Sequence, residues 1–505
     1  MRRLDGAVFL SGAALMGLEI VGSRVLAPVF GTSIFVWGAL ITTFLASLSV
    51  GYALGGRIAD RRPDPALLAL FLAAAGCLLW LLFYEPSALL TACAAAPVPD
   101  RFRSLLAALV LFAPPSVLMG MATPFAVRLA ARDLSSIGSA TGRLSAVSTA
   151  GSILGTFAMS FLLIPAFATR PILFGLGAAL LVAAALLPGA LTVGRALAGV
   201  VLVAGTGTAY LMNAEAGAVR TQNGVVIHEK ETAYHHIRVV DLGARRGMYF
   251  DNQLQGWVDL KTKNPPPTYI DGLLTSLALR QAPPKRIVCI GMGPGMIPTV
   301  LARRVPDVSV TTIEIDPEVV KIAERFFELS PDANDRIVVG DGRRELLHQT
   351  EKADVILMDA FFSDSQPFHL LTEEFHRLCR ERLTPDGVVA ANLAGQLMGS
   401  KNALFWAAAK TLRKVFPRVY IFSQELSRGD PLFSGPAMLM ATHSYDRLDP
   451  ATIRERAAEW AKKLERPGIA EWGAWLYEGE LRESGLPVLT DAYAPTDALQ
   501  HLVRR

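Results

Sequence analysis

Residues 287–295 read IVCIGMGPG, a short apolar run that ends in a glycine-rich turn. A run of this kind is typical of a strand buried on both faces of a sheet, and a helical pattern follows the turn. Glycines at Gly291, Gly293 and Gly295 allow the backbone to approach a bound nucleotide at the carboxyl end of the strand. One such loop is a weak indication by itself, so the flanking sequence decides its meaning.

Strand and helix patterns alternate downstream of this loop. Strands are predicted at 308–316, 337–340 and 355–359, and a helix at 372–383 precedes another apolar strand, VVAANLA. Apolar strands without a polar face indicate a parallel sheet that helices cover on both sides. The region is therefore predicted to form a Rossmann-like α/β domain.

Acidic residues stand at the ends of the successive strands. Glu314 can accept hydrogen bonds from both hydroxyls of a ribose, and Asp341, followed by Gly342, can accept one from an adenine amino group. Asp359 ends the fourth strand, and Asp364 follows it closely. Helix N-capping is the structural alternative for such residues. Taken together, the acids predict an adenosyl ligand.

The sequence before the loop predicts a small antiparallel β unit, residues 214–264. Residues 222–260 form short alternating runs, with turns expected at Gly243 and Gly247. Residues 268–281 show a helical pattern. Residues 265–505 are assigned to the Rossmann domain and its C-terminal tail.

The first part of the chain has a different composition. Residues 1–213 contain 13 Arg, no Lys and only 7 acidic residues, so about 9% are charged, against about 25% in the remainder. This split excludes a single soluble protein, a disordered chain and a collagen-like chain. It also disfavours a nucleic-acid partner, because the positive excess lies in the apolar part rather than on a soluble basic face.

Repeated apolar runs in residues 1–213 have the length needed to cross a lipid bilayer. Small residues such as Gly51, Gly55, Gly151 and Gly155 favour a tightly packed bundle. Seven spans are predicted, near 6–27, 34–56, 66–84, 104–127, 144–166, 171–188 and 195–212.

The sidedness of the soluble half is predicted in two conflicting ways. The positive-inside rule places the N-terminus in the cytoplasm, and an odd number of spans would then place the soluble half outside. The nucleotide chemistry favours a cytoplasmic domain. The expectation is a multi-pass protein of the bacterial inner membrane whose soluble half is cytoplasmic.

Residues 222–440 resemble the spermidine synthase (aminopropyltransferase) family. The resemblance rests on Tyr234-His235-His236-Ile237, Tyr269-Ile270-Asp271, the GMGPG loop, Glu314-Ile315-Asp316, Asp341-Gly342 and Asp359. The whole chain resembles bacterial membrane proteins that fuse a transporter-like bundle to this domain. The implied fold is a multi-pass α-helical membrane bundle plus an S-adenosylmethionine methyltransferase-type Rossmann domain, preceded by the small β unit.

The resemblance also implies a reaction and its site. Decarboxylated S-adenosylmethionine would donate an aminopropyl group to a small cationic amine, in polyamine synthesis, with no metal. Asp359 and Asp364 would be catalytic, and Tyr234, Tyr269 and Asp271 would bind the acceptor. The nucleotide would be bound by His235, Gly291, Gly293, Gly295, Glu314, Asp341 and Gly342. Soluble relatives suggest a homodimer by analogy.

Two other functions remain open from the residues. Pro294 stands where the family carries an Asp that binds the aminopropyl amine, which reopens ordinary S-adenosylmethionine and a methyltransferase on the same fold. A polyamine transporter regulated by the nucleotide is the second alternative, although seven spans are few for a complete transporter.

Overall fold

The computed structural model describes most of the chain. The described residues are 2–30, 34–84, 86–131, 133, 136–188, 219–221, 224–232, 234–262, 264–266, 269–329, 334–361, 367–399, 402–428, 435–500 and 502. The predicted span 195–212 and the predicted catalytic Asp364 lie outside these ranges. By its internal contacts the chain divides into two compact units, one of residues Met1–Val219 with Glu229–His236, the other of Arg220–His228 with Ile237–Arg505.

Helices form the first unit over its described residues between 2 and 188. Its helices are α1 Arg2–Phe30, α2 Ile34–Arg61, α3 Pro65–Tyr84, α4 Ser87–Ala94, α5 Asp100–Gly120, α6 Ala122–Ala130, α7 Ile137–Ala158, α8 Ile164–Ala166 and α9 Thr169–Ala185, with a π-helical turn at Met159–Leu163. The pairs α1–α7, α2–α5 and α3–α9 are neighbours. At Gly151 an added Cβ would lie 2.1 Å from the carbonyl oxygen of Phe9, so α1 and α7 pack backbone against backbone, as the small-residue pattern predicts.

Four helices of this unit are long and apolar enough to cross a membrane, judged by length and composition among the described residues. They are Arg3–Ala27, Ile34–Arg61, Phe102–Ala130 and Ile137–Leu163. Two of the other predicted spans correspond to shorter apolar helices, Pro65–Leu81 and Thr169–Ala185.

A five-stranded sheet forms the small β unit, with strands in the order of the chain. The strands are β1 Val219–Thr221, β2 Gly224–Glu231, β3 His236–Leu242, β4 Arg245–Phe250 and β5 Gln253–Asp259. Gly243 has a φ of +65° and turns between β3 and β4. The predicted turn at Gly247 is wrong, because this residue lies within β4 and pairs with Val240 and Trp257 on the two neighbouring strands.

The α/β sheet has seven strands in the order β11-β12-β10-β9-β6-β7-β8. They are β6 Arg286–Ile290, β7 Ser309–Glu314, β8 Asp335–Val339, β9 Ala353–Met358, β10 Leu383–Gly395, β11 Arg418–Ser423 and β12 Gly435–Thr442. Strands β6 to β10 are parallel, as predicted, whereas β12 runs antiparallel between β10 and β11. The chain moves outward from β6 to β8 and then returns to β9 on the other side of β6. This reversal is the switch point beside which α/β sheets bind ligands.

Helices complete the second unit and cover both faces of the sheet. They are α10 Tyr269–Leu274, α11 Met296–Arg304, α12 Pro317–Phe327, α13 Gly342–His348, α14 Glu373–Arg382, α15 Ala403–Val415, α16 Glu425–Arg428, α17 Pro450–Leu464, α18 Gly468–Ala474 and α19 Thr496–Gln500. An apolar cluster joins the small sheet, through Met248 and Phe250, to Met292 in the glycine loop and to Ile322 on α12. The small sheet is therefore held against the nucleotide-type loop.

Candidate active site

The glycine loop lies between β6 and α11 and has an unusual backbone. Gly291, Gly293 and Gly295 have φ values of +88°, +52° and +77°, which side chains rarely tolerate. At Gly291 an added Cβ would lie 2.3 Å from the carbonyl oxygen of Asp359. The loop thus crosses directly against the end of β9, which brings Asp359 beside the predicted nucleotide loop.

Glu314 at the end of β7 is held by the same loop. Its Oε2 accepts a hydrogen bond from the backbone N–H of Met292 at 3.0 Å, and its Oε1 accepts one from Asp316 at 3.0 Å. Burial raises the pKa of Glu314 to about 7, although these two N–H groups oppose the shift. Each carboxylate oxygen keeps acceptor capacity, so the group can receive further donors such as ribose hydroxyls.

Asp341 at the end of β8 performs two structural tasks. It caps α13, because its Oδ1 accepts a hydrogen bond from the N–H of Arg344 at 2.9 Å, and its Oδ2 lies 3.0 Å from Nε2 of His369. Gly342 leaves room for Ile290, whose Cγ2 would lie 2.3 Å from an added Cβ. His369 lies in a short 3₁₀ turn, and its contact with Asp341 brings it to the predicted adenine-binding position.

The capping alternative explains part of the acidic pattern. Asp316 is the N-cap of α12, and its carboxylate accepts a hydrogen bond from Glu318 N–H at 2.9 Å. Asp341 is likewise an N-cap. Glu314 and Asp359 do not begin helices, so capping does not account for them.

Asp359 follows β9 and is held by partners from two other elements. Asn392 Nδ2 donates a hydrogen bond to its Oδ1 at 3.0 Å, and the Tyr269 side chain also stabilises the carboxylate. Burial outweighs both and raises the pKa of Asp359 to about 6. This pKa suits a group that exchanges a proton near neutral pH.

Asn392 was not identified from the sequence. It lies on β10, is 6% exposed and interrupts an apolar run with a polar side chain. A buried polar residue in a central strand needs a partner, and that requirement was the signal available in the sequence.

Tyr269 and Asp271 both lie on α10, but their side chains have different partners. The Tyr269 hydroxyl donates to the carbonyl of Gln255 at 2.9 Å, and burial followed by the charge of Asp359 raises the pKa of Tyr269 well above its usual value. Asp271 is fully buried and forms an ion pair with Arg466. Residues two apart on a helix face different directions, so the structure brings Tyr269, but not Asp271, to Asp359.

Tyr234 and His235 belong to the segment Glu229–His236, which groups with the helical unit. Tyr234 is exposed, whereas His235 is buried, and burial lowers the pKa of His235 to about 4. The imidazole is therefore neutral at pH 7. The roles of these two residues in ligand binding stay predictions.

The C-terminal tail meets the second unit beside Asp341. Asp491, from the LTDAYAP stretch, accepts two hydrogen bonds from the guanidinium of Arg343, at 2.7 and 2.6 Å, and one from Thr372 at 2.8 Å. The tail thereby holds the residue that follows Gly342. Within the described ranges, no group of three or more His, Cys, Asp or Glu side chains is arranged to hold a metal ion.

The assembled site has carboxylates at the ends of β7, β8 and β9, on the two sides of β6 at the switch point. Glu314 and Asp341 provide acceptors on one side of the glycine loop, and Asp359 provides a partly buried carboxylate on the other. This arrangement can bind a polar nucleoside and move one proton at the loop.

Comparison with known proteins finds a family model and curated relatives that match part of this chain. Residues 270–425 match the family model described as the spermine/spermidine synthase domain. The chain is 33% identical over 208 residues to a polyamine aminopropyltransferase of Vibrio vulnificus, which covers 39% of this chain and 67% of that protein. It is 29% identical over 191 residues to a probable polyamine aminopropyl transferase of Bifidobacterium longum, which covers 37% of this chain and 42% of that protein. The match thus spans about two thirds of the first relative and less than half of the second.

Among solved structures, a spermidine synthase in complex with the transition state analogue AdoDATO is 21% identical to this chain. Its TM-score is 0.39, and the alignment covers 49% of this chain and 84% of that chain.

Proposed function

Since this chain belongs to the spermine/spermidine synthase family and is a transferase, we propose that it moves an aminopropyl group from decarboxylated S-adenosylmethionine to an amine. The observation that carries the proposal is the position of Asp359. Its backbone carbonyl lies against the glycine loop. Its carboxylate is bound by Asn392 and has a pKa raised by burial to about 6. A base is required there because amine acceptors are protonated in water, with a usual pKa of about 10.4.

The proposed reaction is a displacement at carbon. The neutral nitrogen of the acceptor forms a C–N bond with the aminopropyl carbon, the C–S bond breaks, and its electron pair stays on sulfur in methylthioadenosine. Asp359 accepts the proton that the acceptor ammonium loses before attack, and the secondary ammonium product keeps its remaining protons. Asn392 stabilises the ionised carboxylate through its hydrogen bond, so it keeps the group ready to accept a proton.

The nucleoside is assigned to the other acids of the site. Glu314 would accept hydrogen bonds from the ribose hydroxyls, since its two oxygens lie beside the loop that it braces through Met292. Asp341 would accept one from the adenine amino group while His369 holds its second oxygen. Hydrogen bonds to charged acceptors are worth about 1.5–3 kcal/mol each, so these contacts suffice to orient the donor.

Pro294 favours a second candidate, methyl transfer from ordinary S-adenosylmethionine. The residue lies in the glycine loop against the position of Gly256 on β5, where its Cγ would be 2.9 Å from an added Cβ. Proline supplies no carboxylate for the ammonium of an aminopropyl tail. The two candidates use different donors, but in both of them the strand-end acids would bind the nucleoside.

Product analysis separates the two candidates. Purified full-length protein would be incubated with each donor and a panel of diamines and polyamines, and the nucleoside product identified by mass spectrometry. Methylthioadenosine together with an extended polyamine supports aminopropyl transfer. S-adenosylhomocysteine with a methylated acceptor supports the second candidate instead.

The helical unit is proposed to lie in the cell inner membrane, with the catalytic half in the cytoplasm. Four of its helices have the length and composition of membrane spans. Large apolar side chains such as Leu45, Ile153 and Phe161 are 62%, 64% and 68% exposed, which suits lipid better than water. A cytoplasmic active site agrees with a nucleotide donor that is made inside the cell.

A further inference from the structure

Arg466 is a buried cation far along the chain from the predicted site residues. It follows α17 and is 8% exposed. Its Nε pairs with Asp271, while its two terminal nitrogens donate to the carbonyls of Pro265 at 3.1 Å and Pro266 at 2.7 Å. One guanidinium therefore binds the chain on both sides of Tyr269.

The segment after Arg466 is docked on the same helix. Thr275, in the 3₁₀ turn that directly follows α10, donates a shared hydrogen bond to the carbonyls of Asp271, at 2.8 Å, and Ile469, at 3.3 Å. At Gly468 an added Cβ would lie 2.2 Å from Oδ2 of Asp271, so only glycine allows this approach. These contacts fix α10 to the C-terminal segment without using any residue of the strand-end site.

Tyr269 is the first residue of α10, and its hydroxyl donates a hydrogen bond to the carbonyl of Gln255 on β5 at 2.9 Å. Burial raises the pKa of this hydroxyl, and the charge of Asp359 acts on the same hydroxyl and raises its pKa further. A shift of this helix end would move the hydroxyl relative to the carboxylate. Misplacement by about 1 Å is enough to reduce a rate about 100-fold. The position of the Asp271–Arg466 pair is thus coupled to the geometry of the proposed base.

We infer that Arg466 is a positioning residue, which acts through Asp271 to set the Tyr269 hydroxyl against Asp359. On this inference Asp271 holds Arg466 rather than the acceptor amine. The planar fork of arginine is required, because lysine cannot bind one carboxylate and two carbonyls in fixed directions. The inference rests on the proposed function, since it concerns the same base.

A double-mutant cycle tests the coupling. Arg466→Lys would be made in the wild type and in a Tyr269→Phe background, and kcat and KM would be measured for the amine acceptor. We expect Arg466→Lys to lower kcat about 10-fold in the wild type, with little change in KM, and to have almost no further effect in the Tyr269→Phe protein. Arg303→Lys, an exposed arginine that lines the same cavity as Arg466, is the matched control and should leave kcat unchanged.

A second variant and one further outcome distinguish failure of this inference from misfolding of a variant and from failure of the proposed function. Asp271→Asn retains the shape and one acceptor oxygen, so it replaces Arg466→Lys in the cycle if the lysine variant does not accumulate as folded protein. An equal loss of kcat in both backgrounds would overturn the positioning role. A folded wild type that forms no methylthioadenosine would instead overturn the proposed function.

Discussion

Asn392 on β10 and Asp359, directly after β9, join two adjacent parallel strands, with Nδ2 of the amide donating to Oδ1 of the carboxylate at 3.0 Å. They lie one residue beyond the pair Met358 and Ala391 in the register of β9 and β10. The hydrogen bond favours the ionised carboxylate and so opposes the effect of burial on the pKa of Asp359. The amide thereby sets the pH at which the proposed base becomes active.

Replacing Asn392 with Leu should move the acidic limb of the pH–rate profile upward. The proposed mechanism requires ionised Asp359, whose pKa burial raises to about 6, and loss of the stabilising hydrogen bond raises this pKa further. A hydrogen bond to a charged group corresponds to about one pKa unit or more. The measurement is kcat/KM against pH for the amine acceptor. A limb at the wild-type position or at lower pH would contradict the assignment.

Asp359→Asn should lower kcat by about 100- to 10,000-fold, the range that a positioned general base contributes. Nucleoside binding should remain, because Glu314 and Asp341 are unchanged. The measurement combines steady-state kinetics with calorimetric binding of methylthioadenosine. Asp307→Asn, at an exposed aspartate before β7, is the matched control. Full activity of Asp359→Asn would remove Asp359 from the mechanism.

Glu314→Gln should weaken methylthioadenosine binding by about 100-fold at pH 8, since two charged hydrogen bonds become neutral ones. In the wild type, binding should strengthen as pH rises through about 7, the raised pKa of Glu314, because ribose hydroxyls prefer the ionised acceptor. The variant should lack this pH dependence. Calorimetric titration at pH 6 and 8 measures both effects, and equal pH dependence in the two proteins would argue against the ribose assignment.

Gly291→Ala should abolish activity and destabilise the second unit more than Gly243→Ala does. Both positions have positive φ, at +88° and +65°, so alanine costs about 1–2 kcal/mol at each. Only Gly291 also faces a backbone oxygen at 2.3 Å, whereas nothing lies within 4 Å of a Cβ at Gly243. Thermal unfolding and kcat, measured side by side, test the difference. Similar losses in both variants would show that the close approach of the loop to β9 is unimportant.

The membrane proposal predicts that the protein sediments with membranes and stays there in alkaline carbonate. A single added cysteine, Lys352→Cys, at an exposed site in the second unit, can show on which side of the membrane this unit lies. An impermeant maleimide should label it only after spheroplasts are permeabilised. The unmodified chain is the control, since its cysteines are buried or half-buried. Labelling of intact spheroplasts would place the catalytic half outside.

Much of the fold follows from local patterns in the chain. The apolar strand before Gly291 and the acids at the following strand ends predicted both the parallel sheet and the candidate nucleotide edge. The strand β12 was not anticipated, because its reversed direction depends on pairing with β10 and β11 rather than on its own composition. Gly247 shows the opposite error, since a glycine within a paired strand resembles a turn when only sequence is considered.

The sequence by itself determined which residues have the chemistry for the site, because strand periodicity places Glu314, Asp341 and Asp359 at one edge of a parallel sheet. Only the tertiary structure decided which partners these groups have. Asn392, His369 and Arg466 lie 33, 28 and 195 residues from the acids that they bind. Such pairs depend on strand order and on the packing of α10 against the C-terminal segment. Periodicity along the chain carries no information about pairs so far apart in sequence, whereas burial of Asp359 and Asp271 in the folded protein makes polar partners necessary for them.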